Sequence, residues 1–343
     1  MTTSTPDDLI LITGAGGFIG GHLIGELRRL GRRRLRAVDI KPVADWYQAF
    51  PDVENLTLDL SARDHAVRAA AGAVEIYNLA CDMGGMGFIE NHRTECMLSV
   101  LINTHLLMAA RDAGCQRYFF ASSACVYSAE KQTRAAPVPL KEADAYPAMP
   151  EDGYGWEKLF GERMCRHFHE DHGLETRVAR YHNIYGPHGT YDGGREKVPA
   201  AICRKVIAAQ ISGSGEIEVW GDGRQARSFT YIADCLEGTL RLMASDIRDP
   251  LNVGSDELVT IDQLVDIVEH IAGTTLKRRY NLSAPQGVRG RVSDNTEITR
   301  RLGWAPSARL SDGMEKTYRW IYDQMASGSD RRRLYRFGRR RLG

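Results

Sequence analysis

The sequence predicts an α/β fold: a doubly wound parallel sheet with a smaller C-terminal lobe behind it. Three observations carry this. A short apolar run, Leu9-Ile10-Leu11-Ile12-Thr13, enters a glycine-rich turn, Gly14-Ala15-Gly16-Gly17-Phe18-Ile19-Gly20, and an apolar helical pattern follows over residues 21–30. Further β-type runs recur at 35–39, 56–60, 74–80 and 118–123, as parallel strands do when crossover helices separate them. Beyond residue 180 the alternation loosens. The expected organisation is a sheet domain over 1–180, to which some later segments return, a lobe over 181–326 and a tail over 327–343.

Bulk properties exclude several classes. The chain has 343 residues, 43% hydrophobic and 26% charged, with a net charge of +1. That balance gives no general pull toward nucleic acid or membrane. No apolar run is long enough to span a bilayer, and the polar first eight residues do not read as a signal peptide. Seven dispersed Cys without a CxxC pair read as reduced thiols, hence a cytoplasmic protein. Zinc-ligand spacing is absent. His167, His169 and His172 do not share a helical face, so solvated side chains are favoured over a metal site. The Arg-rich tail, with Arg331-Arg332-Arg333 and Arg339-Arg340-Arg341, reads as a solvated extension. An anionic partner for it is the alternative.

The glycine turn between a strand and a helix suits a pyrophosphate. Glycines admit the close backbone approach, and the helix N-terminus offers N–H donors and positive dipole. The second strand ends in Asp39, about twenty residues after the glycines. A carboxylate there binds adenosine ribose hydroxyls and repels a 2′-phosphate, which favours NAD over NADP. Lys41 nearby weakens that preference. Together these define a Rossmann-type half.

Tyr154 and Lys158 in Tyr154-Gly155-Trp156-Glu157-Lys158 stand one helical turn apart on one face. A Lys there is expected to hold the phenol's pKa down. With a nicotinamide cofactor, the pair becomes a device for moving hydride and proton together. Ser122-Ser123-Ala124-Cys125 ends the fifth strand. A thiol in that place is more than a plain dehydrogenase needs.

The glycine turn, Ser123, Tyr154 and Lys158 in this order resemble the extended short-chain dehydrogenase/reductase superfamily. The resemblance implies NAD held by Gly14, Gly17, Phe18, Ile19, Gly20, Asp39 and Asp59, the last near the adenine. It implies that Ser123 hydrogen-bonds the reacting oxygen, Tyr154 is the acid/base and Lys158 also holds the nicotinamide ribose.

More specific motifs are Asp82-Met83-Gly84-Gly85-Met86-Gly87-Phe88, Tyr181-His182-Asn183-Ile184-Tyr185-Gly186-Pro187, Gly193-Gly194-Arg195-Glu196-Lys197, Trp220-Gly221-Asp222-Gly223, Arg227-Ser228-Phe229-Thr230 and Gly287-Val288-Arg289-Gly290-Arg291. With Ser122-Ser123-Ala124-Cys125-Val126-Tyr127 they are similar to the GDP-mannose 3,5-epimerase family over roughly residues 9–325. In that family a transient ketone at carbon 4 acidifies the protons on carbons 3 and 5. Two groups on opposite faces of the sugar then exchange those protons. The resemblance implies Cys125 as base, Lys197 as acid, and substrate contacts from Gly84, Gly85, Asn183, Glu196, Lys205, Trp220, Gln225, Arg227, Arg289 and Ser293. It also implies a GDP-sugar substrate, no metal, and a homodimer formed through helices over 90–113 and 154–172.

Nucleotide-sugar 4,6-dehydratases carry an Asp-Glu pair where this chain has Ala124-Cys125, so dehydration is not expected. Ser128-Ala129 replaces the usual Pro, and Trp156 a smaller aliphatic. Alternatives left open are another GDP-hexose or GDP-heptose, epimerisation at carbon 5 alone or at carbon 4, and a non-catalytic NAD-binding regulator.

Overall fold

The computed structural model describes residues 5–326. In chain order the first half contains β1 (Ile10–Thr13), α1 (Phe18–Arg29), β2 (Leu35–Asp39), β3 (Glu54–Thr57), α2 (Arg63–Ala70) and β4 (Glu75–Asn78). Then come α3 (Met86–Asn91), α4 (Arg93–Leu98), α5 (Val100–Asp112), β5 (Arg117–Ser123), α6 (Tyr154–His172), β6 (Glu175–Tyr181) and β7 (Ile184–Tyr185). The second half holds α7 (Val198–Ser212), β8 (Glu216–Trp220), β9 (Ala226–Ser228), β10 (Thr230–Tyr231), α8 (Ile232–Ala244), β11 (Leu251–Val253) and β12 (Leu258–Thr260). It closes with α9 (Ile261–Ala272), β13 (Lys277–Asn281), β14 (Gly290–Arg291), α10 (Thr296–Leu302) and α11 (Leu310–Ala326).

Seven parallel strands form the main sheet in the order β11-β6-β5-β4-β1-β2-β3. Strand side chains alternate between faces, and here both faces are covered. Ile10, Ile12, Ala37, Tyr77 and Phe119 pack with Leu23, Ile24 and Leu27 of α1 and Cys235, Leu242 and Met243 of α8. Their neighbours Leu11, Val38, Ile76, Tyr118 and Phe120 pack with Ala66 and Ala69 of α2, Leu106, Leu107 and Ala110 of α5 and Cys165 of α6. This explains why the strands read as unbroken apolar runs rather than alternating ones. The chain steps outward in opposite directions from β1, toward β2 on one side and β4 on the other. In such sheets the crevice at that switch point, outside the strand C-termini, is where ligands bind.

A further apolar cluster joins α7, α9 and α11. Ile202, Val206 and Ile207 meet Leu264, Val265 and Val268, and Leu310, Met314 and Ile321 close it. No described helix is long and apolar enough to cross a membrane.

Two expectations shift. The strand expected at 56–60 runs over Glu54–Thr57, leaving Asp59 in the turn beyond it. The single helix expected over 90–113 is three, α3, α4 and α5. His92 breaks it, with φ −130° and ψ 48°, and its ring stacks on Phe88 at 4.4 Å between centroids. By contrast α6 runs unbroken from Tyr154 to a left-handed Gly173 cap. Its buried face, Tyr154, Lys158, Glu162 and Cys165, follows helical spacing. The Arg-rich segment 327–343 lies outside the described residues.

Candidate active site

The glycine turn after β1 is folded on itself. Gly14 has φ +67°, and a Cβ on Gly20 would come 2.3 Å from the Gly14 carbonyl oxygen. Helix α1 starts at Phe18 with no side-chain cap and no acid in its first turn, so its leading N–H groups face outward for an anion. Asp39, at the end of β2, accepts from the Gly16 N–H at 3.0 Å and from the Lys41 N–H at 2.9 Å. The Lys41 ammonium donates to the Gly16 carbonyl at 2.5 Å. One of its three donors is thus engaged by the turn. A bare helix N-terminus beside a strand-end carboxylate fits a dinucleotide's pyrophosphate and ribose, and Gly14, Gly17, Phe18, Ile19, Gly20 and Asp39 would hold it. Asp59 stands apart. It is exposed, and its carboxylate accepts from the Ser61 N–H at 2.9 Å and hydroxyl at 2.7 Å, which hold it below its ordinary pKa.

A cleft of about 220 Å³ opens where the end of β5, the start of α6 and the segment before α7 converge. Ser123, Cys125, Tyr154 and Lys197 line it, as do Gly84, Gly85, Asn183, Glu196, Lys205, Trp220, Gln225 and Arg227. The Ser123 hydroxyl accepts the Cys125 N–H at 3.2 Å and so starts the one-turn helix Ala124–Val126 that presents the thiol. At Ser128 the hydroxyl accepts the Glu130 N–H at 3.3 Å and caps the one-turn helix Ala129–Gln132.

Lys158 sits beneath Tyr154, buried, with its ammonium 5.4 Å from the phenol ring centroid, 4.8 Å from that of Phe120 and 3.4 Å from the Glu157 carboxylate. Burial pushes the Tyr154 phenol well above its ordinary value, with Cys81, Cys125 and Glu157 adding to it. The lowering expected from Lys158 is therefore not what the protein groups alone produce. Burial lowers the Lys158 ammonium, but Cys81 and Glu157 outweigh it and the net shift is upward. Its charge is shared with those two partners. Across the cleft, burial draws the Lys197 ammonium below its ordinary value, opposed by Cys125 and Cys81. A lysine so tuned gives up a proton more readily.

Three anticipated contacts are directed elsewhere. Arg289 does not line the cleft; its guanidinium grips Asp222 through bonds of 2.7 and 2.9 Å. Ser293 is buried outside the cleft and donates to Asn295 at 3.0 Å. The Lys205 side chain reaches the cleft, but its ammonium donates to the Glu218 carbonyl at 2.9 Å and stands over Trp220.

Two residues went unread in the sequence. Arg291 lines the cleft, with Nη1 3.8 Å from the Cys125 sulfur, Nε donating to Gln132 at 2.6 Å and Nη2 paired with Glu151. Its signal was the second Arg of the Val288-Arg289-Gly290-Arg291 run. Cys81 lies close enough to Tyr154 and Lys158 to shift both, and burial pushes its own thiol up. Nothing in its spacing marked it.

A turn for a dinucleotide and a cleft that gathers Ser123 from the end of β5, Tyr154 from the start of α6 and Lys197 from the start of α7 define a nucleotide-cofactor enzyme. The chain belongs to the NAD dependent epimerase/dehydratase family, whose sequence profile matches residues 10–254. It is 46% identical over 323 residues to GDP-mannose 3,5-epimerase 1 of Oryza sativa subsp. japonica, covering 92% of this chain and 82% of that one. It is 44% identical over 332 residues to GDP-mannose 3,5-epimerase of Arabidopsis thaliana, covering 94% and 85%. Among solved structures, MoeE5 in complex with UDP-glucose and NAD superposes with a TM-score of 0.77 at 26% identity, over 92% of this chain and 99% of that one.

Proposed function

We propose that the chain epimerises GDP-mannose at carbons 3 and 5, giving GDP-L-galactose and, after inversion at carbon 5 alone, GDP-L-gulose. The observation that carries this reading is a thiol, Cys125, and a lysine, Lys197, lining one cleft with Ser123 and Tyr154. An epimerase that inverts carbons beside a ketone needs one group to take a proton and another to return one on the opposite face. A 4-epimerase does not.

NAD supplies reversible two-electron oxidation at carbon 4. In this reading Ser123 and Tyr154 bind the oxygen on carbon 4, and Tyr154 takes and later returns its proton. Lys158, held against Tyr154 by Glu157 and Cys81, keeps a positive charge under the phenol. The charge favours a phenolate once it forms, offsetting the penalty of burial. Cys125 removes the acidified proton and Lys197 delivers one from the other face. The apolar wall of Met83, Met86 and Ile89 excludes water from the enolate between the steps. Arg227, half-buried and lowered to about 10 by desolvation and Arg289, is a cleft cation suited to the diphosphate.

The reading includes a homodimer in the cytoplasm. Met97 and Leu98 of α4, Leu101 of α5, and Trp156 and Phe160 of α6 are exposed large apolar side chains on neighbouring helices. Such a patch favours association.

Incubating the protein with GDP-mannose, without added NAD, and resolving products by NMR tests the proposal. GDP-L-galactose and GDP-L-gulose are expected. Unchanged GDP-mannose overturns it.

A further inference from the structure

The two glycine-rich segments meet through backbone packing of Gly85 on the Glu196 carbonyl and through the side chain of Arg195. Arg195 Nη1 donates to the Asp82 carboxylate at 2.5 Å and to the Met83 carbonyl at 3.2 Å, and its guanidinium lies 3.7 Å from the Phe88 ring centroid. The Arg195 carbonyl in turn accepts the Gly85 N–H at 3.1 Å. Four contacts thus run from one residue to the loop that lines the sugar end of the cleft. Just before it, Gly193 and Gly194 have φ of +90° and +86°, with open space where side chains would stand. Two residues after it comes Lys197, the N-cap of α7.

The backbone on either side of Arg195 is held differently. Glu196 accepts from the Gly194 N–H at 2.7 Å and from Arg204 at 3.4 Å. Those bonds tie the segment to itself and to α7. The contacts of Arg195 cross to the other wall. An exposed ion pair on its own contributes little, and Arg195 and Asp82 are both about half exposed. Here the ion pair comes with a stacked ring and a backbone bond, so the guanidinium fixes a position, not merely a charge.

We propose that Arg195 is a positioning residue: it latches the 193–197 segment to the 82–88 loop and sets the place of the Lys197 ammonium across the cleft from Cys125. The inference rests on the epimerase reading for what Lys197 does, though not for the latch itself. Displacing a proton-delivering group by about an ångström costs on the order of 100-fold in rate. Arg195 itself does not line the cleft, so substrate binding is expected to change little.

Arg195→Met is therefore expected to lower kcat about 10- to 100-fold with KM for GDP-mannose near the wild-type value. Oxidation at carbon 4 continues while proton delivery lags, so absorbance at 340 nm from reduced cofactor builds up. Asp82→Asn shows the same pattern more weakly, and Arg195→Lys, which keeps a cation for Asp82 but loses the planar fork that stacks on Phe88, recovers only part of the rate. Wild-type kcat in Arg195→Met, or equal loss of kcat and of the 340 nm signal, overturns the positioning role. Amide hydrogen exchange of residues 193–197 tests the latch without any substrate. Faster exchange in Arg195→Met supports it, and unchanged exchange overturns it even should GDP-mannose prove not to be the substrate.

Discussion

Gly155 packs against the backbone of Cys125: a Cβ at position 155 would come 2.3 Å from the Cys125 carbonyl oxygen. The first turn of α6, which carries Tyr154, therefore rests on the turn that carries the thiol. In the proposed reaction, the groups for oxidation at carbon 4 and for proton exchange beside it are brought together by the absence of one methyl group.

Gly155→Ala must push one of these turns away. Ala is the better helix former, worth about 0.5–1 kcal/mol, but overpacking against backbone costs about 1–3 kcal/mol. A modest net loss of stability by urea unfolding is expected, with a larger loss of turnover. Full turnover in Gly155→Ala would show that the contact does not set the geometry.

Cys125→Ala and Lys197→Met remove the two groups proposed to exchange protons and leave the glycine turn, Tyr154 and Lys158 in place. Turnover should fall about 10²- to 10⁴-fold in each. NAD retained on the purified variants, measured by absorbance after denaturation, should match wild type.

Lys197 also links function to stability. Its folded pKa is depressed, chiefly by burial, so the ammonium is penalised by the fold. The penalty is fully present below the folded pKa and disappears as pH rises through it toward the ordinary value of 10.5. Inactive Lys197→Met should then melt above wild type at neutral pH, the gap closing under alkaline conditions. A lower melting point at neutral pH would contradict the assignment.

His182 supplies an acid limb. It is fully buried, its Nε2 lies 2.9 Å from Asn252 Oδ1, and burial lowers its pKa from 6.5 to about 4. The unfolded chain binds more protons between those values, so stability falls as pH drops through that window, by about 2 kcal/mol at pH 5. Urea midpoints at pH 7 and pH 5 should differ more for wild type than for His182→Gln.

The sheet was legible because its strands bury both faces. Leu11 and Ile12 serve different helices, so the run from Leu9 to Thr13 is apolar throughout. The helix start at Tyr154 was equally plain from its spacing. The break at His92 was not, since a change of backbone angle within an apolar-periodic stretch leaves no compositional mark. Arg289 and Arg291 show the limit for the site: two arginines of one motif, one spent on Asp222 and one beside Cys125. Residue type and spacing alone do not tell which is which. Likewise the spacing of Tyr154 and Lys158 predicted proximity but not the phenol's environment, where burial, Cys81 and Glu157 outweigh the lysine.

The central claim is that a thiol and a lysine exchange protons beside a transient ketone. Incubation with GDP-mannose in deuterated water, followed by NMR of the sugar, tests it most directly. Deuterium is expected at carbons 3 and 5 with wild type and at neither with Cys125→Ala. A sugar that changes configuration without taking up deuterium, or equal uptake by Cys125→Ala, would contradict it.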